Sequence, residues 1–299
     1  YNKKRNMRKF IAFSGLFIII SCGKSPVIPA EFTFNYNIHS GLPNDWELEF
    51  YTIMNNLDDK IKILPKEYSF EMDVYAWKST TNKPYQNQIG DADGACICGN
   101  QNERYMVLEI PASEFDFSQM HRYSVIPHEY FHVYQMSLSK NFYDGNIELK
   151  WMSEGGAASI ESMYIQQYYQ FNYFKDAQTQ VNIAAINNPS IFETYSASQN
   201  EDTNYSSSVF MVLALSKELQ KQNISEAEAF RMIFRDFWLP DPTDGNWKSN
   251  FENVFNFSVQ YFYQILPSYD LNADNIIDST DFNSVLPSEN ILLQNIFTN

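Results

Sequence analysis

The chain has 299 residues with three Cys and four His, and its 36 acidic against 21 basic residues give a formal net charge of −15. That acidity repels nucleic acid and anionic lipid head groups, and three Cys are too few for a disulfide scaffold. The length suffices for one large domain or two modest ones with a substantial core, and no apolar run after residue 21 approaches the ~20 residues of a membrane-spanning helix.

The first segment reads as a leader. Met7, Arg8 and Lys9 form a basic start, with residues 1–6 as an upstream extension. Residues 10–20 (FIAFSGLFIII) are apolar but too short to span a bilayer. Ile19-Ile20-Ser21-Cys22 then resembles a bacterial lipobox. The resemblance implies cleavage before Cys22 and a lipid on its thiol; a plain secretory signal with an incidental Cys is the alternative. Loss of the five leader bases makes the remaining chain still more acidic. Residues 22–30 read as a tether.

Residues 31–38 alternate apolar and polar, as a strand does. Pro43 to Leu64 predicts an amphipathic helix, opened by Asn44 or Asp45 and stopped before Pro65. Residues 68–77 read as a strand, 79–103 as a Gly/Asp/Asn-rich loop, and Tyr105–Ile110 as a second clear strand. Within that loop Cys96 and Cys98 read as a pair of small residues, because two positions make a poor disulfide ring. Helices are expected over 119–139, 155–174, 206–220, 225–238 and 247–266, with 180–203 as loop. Strands in the first half and helices in the second make an α+β pattern.

One motif carries chemistry. His128-Glu129-Tyr130-Phe131-His132 places two His at i and i+4, so on a helix both imidazoles project toward one point. Glu129 lies beside that point without being a ligand. There it could take a proton from an attacking water. Half of the chain's His fall in these five residues. A catalytic zinc needs a third protein ligand and an open position. Downstream stands Trp151-Met152-Ser153-Glu154-Gly155-Gly156-Ala157-Ala158-Ser159-Ile160-Glu161.

Together, H-E-x-x-H and W-x-x-E-G-x-A-x-x-x-E resemble the gluzincins, the zincin group of thermolysin and the membrane-alanyl-type aminopeptidases. The resemblance spans about 35 residues, His128 to Glu161. It implies a zincin-like metallopeptidase fold with a small N-terminal sheet and a mostly helical C-terminal half. It also implies Glu154 as third zinc ligand and Glu161 as the carboxylate that steadies a ligand His. The interval from His132 to Glu154 is longer than usual in the group, which leaves Glu148 and Asp144 as other carboxylates in range. Gln135 and Leu138 stand where the metzincin pattern needs Gly and His. The aminopeptidase G-x-M-E-N is absent from the chain. For the oxyanion, Tyr205 is the candidate, in Asn204-Tyr205-Ser206-Ser207-Ser208-Val209-Phe210, which resembles a helix start found downstream of the third ligand in the group, with Tyr195 in reserve. The strand Tyr105–Ile110 is expected either as an edge that pairs with extended substrate or as an ordinary core strand.

Residues 270–281 carry oxygen side chains at loop positions 1, 3, 5, 9 and 12, the EF-hand register. Asp270, Asn272, Asp274, Asp278 and Asp281 with the Ile276 carbonyl are the candidate Ca²⁺ ligands. Asn275 replaces the usual Gly at position 6 and tolerates a left-handed backbone; Asp281 at position 12 resembles dockerin loops.

The sequence thus divides into a leader (1–21), a tether (22–30), a metallopeptidase body (31–266) and a tail with a calcium loop (267–299). The expected function is zinc-dependent peptide hydrolysis by a lipid-anchored endopeptidase of a bacterial envelope, periplasmic or at the cell surface. Peptide or protein is its substrate and nucleic acid is not a partner. The rival is a non-catalytic binding lipoprotein on the same scaffold.

Overall fold

The computed structural model describes residues 28–116, 119–195 and 201–298. The leader and Cys22 lie outside these residues. The chain is α+β, with one small four-stranded sheet followed by a helical C-terminal half. The strands are β1 (Thr33–Ile38), β2 (Glu71–Lys78), β3 (Ala95–Asn100) and β4 (Glu103–Ile110). Their order is β1-β2-β4-β3, with β1, β2 and β4 parallel and β3 antiparallel at the edge.

Alternation sorts the two faces of the sheet. Met72, Val74, Ala76, Met106 and Leu108 join the main core, while Tyr75, Trp77 and Val107 form a smaller cluster on the far side. Cys96 and Cys98 pack at that smaller cluster. They are joined by a disulfide, which corrects the expectation of two small unlinked residues. Two positions apart in a strand, they share a face.

The first helices are α1 (Asn44–Lys60), α2 (Gln86–Ile89), α3 (His121–Leu138), α4 (Lys140–Asp144) and α5 (Lys150–Tyr169). After them come α6 (Tyr173–Ala177), α7 (Ala184–Asn187), α8 (Glu201–Gln220), α9 (Glu226–Arg231), α10 (Trp247–Phe255) and α11 (Val259–Ile265). The tail adds α12 (Ser279–Val285) and α13 (Leu293–Phe297).

In α1, Asp45 and Glu47 sit in the first turn and Lys60 in the last, each matched to the helix dipole. Its buried face is Trp46, Phe50, Ile53, Met54 and Leu57. Trp46 Nε1 donates to the Arg122 carbonyl (3.0 Å) and Tyr130 Oη to the Ile61 carbonyl (2.9 Å). Those bonds tie α1 to α3. Every residue of α3 from Ser124 to Ser137 is buried, because sheet, α1 and α5 surround it.

A run of small residues in α5 explains how it fits between α3 and α8. A Cβ on Gly155 would lie 2.5 Å from the Ser208 carbonyl oxygen, so the α5 and α8 backbones are in direct contact. The buried Ser207 and Ser208 hydroxyls donate to the Thr203 (2.6 Å) and Asn204 (2.8 Å) carbonyls of their own helix, which removes the cost of burying them. Gly155→Ala is therefore expected to destabilise the fold by roughly 1–3 kcal/mol through overpacking. Denaturant unfolding measures this, and unchanged stability would mean that α8 can move away freely.

Several expected bounds shift. The helix expected over 155–174 starts at Lys150 and stops at Tyr169, where Gln170 is left-handed (φ 57°). The helix expected over 247–266 is broken into α10 and α11 by left-handed Asn256 (φ 64°). That expected over 225–238 passes from α9 into a π-helical turn, Met232–Asp236. The tail packs into the main core through Phe282, Val285, Leu293 and Ile296. Among the described residues, no helix is long and apolar enough to cross a membrane.

Candidate metal centre

His128 and His132 lie one turn apart on α3, their ring centroids 5.0 Å from each other. Pro127, inside the helix just before them, has no N–H to give the Tyr123 carbonyl. From α5, Glu154 reaches both imidazoles. Its Oε2 is 3.4 Å from His128 Nε2 and 3.1 Å from His132 Nε2. Among the described residues these three are the group of His, Cys, Asp or Glu side chains whose ligand atoms gather tightly enough for an ion. Glu148 is not in the group, and Asp144 is bonded by Lys140 instead.

The spacing allows a test of fit. A tetrahedral zinc with bonds of about 2.0–2.1 Å sets its ligand atoms about 3.3 Å apart. The two measured separations bracket that value. Both Nε2 atoms converge on one carboxylate oxygen, while each Nδ1 has its own partner. Two neutral imidazoles and a carboxylate can surround a cation in this arrangement; without one, the Glu154 oxygen accepts from the rings. The donor set of two N and one O suits zinc and other divalent transition metals.

Each ligand is held from behind. His128 Nδ1 donates to Glu161 Oε2 (3.0 Å), and Glu161 Oε1 accepts from Gln178 Nε2 (3.0 Å). His132 Nδ1 is 2.8 Å from Gln135 Oε1. Glu154 Oε1 accepts from Lys150 Nζ (3.1 Å), one turn earlier on α5. With α5 starting at Lys150 instead of residue 155, Glu154 sits one turn in and gains this lysine.

Burial alone would raise the Glu154 carboxyl, but the two imidazoles outweigh it and hold the group well below the usual carboxylate range. Burial likewise opposes charge on His128, and the carboxylates of Glu154 and Glu161 reverse that and raise it well above an ordinary imidazole. A bound divalent cation would displace the imidazole protons. Glu129 is buried, and burial pushes its carboxyl up. Its Oε2 has no hydrogen-bond partner among the described residues.

Two cavities, of about 480 and 490 Å³, meet at this centre. Both are lined by Ala95, His128, Glu129 and Tyr205. Tyr205, near the start of α8, sets its ring edge-on to His128 with centroids 5.8 Å apart. Tyr195, the reserve, packs against Tyr205 and hydrogen-bonds Ser208 Oγ (3.2 Å). The strand beside the cleft is β3, through Ala95, Cys96 and Ile97. The strand read as a possible edge, now β4, is internal, because β3 pairs on its open side.

Gln135 and Gln178 were missed as functional candidates. Gln135 was within reach of reasoning: three residues after His132, it shares that face of the helix. Nothing in the sequence marks Gln178, which α6 brings back against Glu161.

The C-terminal loop is a separate matter. Asp270 Oδ2 accepts from Asn275 N (2.8 Å), and Asn275 is left-handed (φ 61°). Asp278 and Asp281 form a capping box on α12. The two carboxylate oxygens of Asp281 accept from Leu271 N (2.8 Å) and Asp278 N (3.0 Å). Asn272 Nδ2 approaches Asp278 Oδ2 (3.5 Å), and Asp274 Oδ1 caps Ile276 N (2.9 Å).

No protein-family model, curated protein or solved structure matches the chain.

Proposed function

We propose that the chain is a zinc-dependent, gluzincin-like endopeptidase on a zincin-like scaffold, held at a bacterial envelope by a lipid on Cys22. One observation carries the reading. His128 Nε2, His132 Nε2 and Glu154 Oε2 converge at zinc-like spacing beside a buried carboxyl group, Glu129, whose Oε2 has no hydrogen-bond partner among the described residues. A carboxylate kept out of water without a partner costs stability, so a functional use is the economical account of it.

His128, His132 and Glu154 would hold the metal, and Glu161 would orient His128. Zinc, when bound, supplies Lewis acidity that makes a water nucleophilic near neutral pH. Glu129 accepts the proton of the attacking water and delivers it to the leaving amine. Tyr205 donates to the oxyanion that develops on the scissile carbonyl. Two cavities that both reach Glu129 support a substrate chain running through the cleft, hence endo- rather than exopeptidase action. The free edge of β3 can pair with it. The Cys96–Cys98 disulfide supports an oxidising compartment.

The test is metal content and cleavage of a protein substrate by wild type and Glu129→Gln. Equal zinc with no wild-type cleavage of any peptide library would leave the non-catalytic binding protein as the reading.

Calcium at Asp270–Asp281 is a second proposal, supported by the ligand register and by left-handed Asn275 at position 6; the loop's carboxylates are not gathered on one point as His128, His132 and Glu154 are. Calorimetry should find one Ca²⁺ per chain, lost in Asp270→Ala. No heat, or heat unchanged by that substitution, removes it.

A further inference from the structure

Gln135 is fully buried, on the inner face of α3, three residues beyond His132. A polar side chain there must satisfy both ends of its amide. One end meets the Ser153 carbonyl, 3.4 Å from Nε2, and the other meets His132 Nδ1, 2.8 Å from Oε1. These two contacts are not independent. A backbone carbonyl can only accept, so the amide NH₂ must face Ser153. The amide oxygen must then face His132. An oxygen acceptor requires that Nδ1 carry the proton, so Nε2, 3.1 Å from Glu154 Oε2, is the ring nitrogen left for a metal.

We infer that Gln135 is a positioning residue that locks His132 in the tautomer able to bind a metal, using the Ser153 carbonyl as its reference. The inference rests on the metal reading above and adds a device to it. Ser153 is the neighbour of Glu154 in sequence, so the same contact sets the second ligand against the third. The two imidazoles are therefore backed by different chemistry. His128 leans on the carboxylate of Glu161, and His132 leans on a neutral amide. A second carboxylate at position 135 would keep the 2.8 Å acceptor contact to His132 and give up only the longer, 3.4 Å donor contact to Ser153. The amide is the side chain of this length that satisfies both contacts at once.

Gln135→Met and Gln135→Glu test this. Met keeps length and packing but offers no acceptor; Glu keeps the acceptor. Zinc affinity is read by competition with a chelating indicator, and the His132 tautomer by ring-nitrogen NMR of the metal-free protein. Gln135→Met should weaken zinc about 10–100-fold, the usual effect of losing an outer hydrogen bond to a ligand, with a mixed His132 tautomer. Gln135→Glu should recover the Nδ1–H tautomer and most of that affinity. Wild-type affinity and tautomer in Gln135→Met overturn the inference. So does equal weakening in both variants, which would mean that position 135 serves packing alone. If wild type takes up no zinc, the metal reading falls, and the tautomer of metal-free wild type against Gln135→Met still decides the role of Gln135.

Discussion

Glu129→Gln is expected to lower kcat/KM on a peptide substrate by about 10²–10⁴-fold, the range for a positioned general base. Zinc content should stay at the wild-type level, because Glu129 is not among the three converging ligands. The same substitution should leave thermal stability equal or slightly raised. The buried carboxylate has an oxygen without a partner, and a neutral amide costs less to bury than a charge. Lost activity with retained metal and retained stability is a combination that a structural role for Glu129 would not produce. Retained activity would remove Glu129 from the mechanism.

Glu154→Ala should act on the metal itself. Zinc-site binding energies of about 10–16 kcal/mol over four ligands imply roughly 3–4 kcal/mol for one, or about 10²–10³ in Kd. The substitution also frees Lys150 from its carboxylate and leaves the two imidazoles with no anion between them. Competition against a chelating indicator measures the loss. Glu148→Ala, in the same cleft but outside the ligand group, should bind zinc as wild type does. Reversal of that order would transfer the third ligand to Glu148.

The centre was legible because its signal is local. Two His four apart need only a helix, and the Glu154 and Glu161 pair needs only a second one. Both carboxylates were named from their motif, and the structure brings Glu154 to both imidazoles and Glu161 to His128. The sheet edge was not legible. Residues 95–100 (ACICGN) lack the β-branched and aromatic pattern of a strand, and they become one by pairing with β4 through a tight turn. Gly99 allows that turn: its φ is 95°, and a Cβ there would meet the Glu103 carbonyl oxygen at 2.1 Å. Missing β3 also moved the cleft border from β3 to β4. The helix ends at Gln170 and Asn256 were lost for a related reason. A left-handed residue that is not Gly interrupts the turn without interrupting the apolar pattern.

The close approach of Gly155 to Ser208 has a consequence for how the cleft can move. Gly155 follows Glu154, and Ser208 lies one turn after Tyr205. Glu154 and Tyr205 are thus mounted on either side of a backbone contact that has no slack. A hinge between α5 and α8 would have to break that contact, so these two helices behave as one jaw. Any widening of the cleft has to come from the opposite wall, where β3 has a partner on one side only. There the Cys96–Cys98 link shortens the length of chain able to flex.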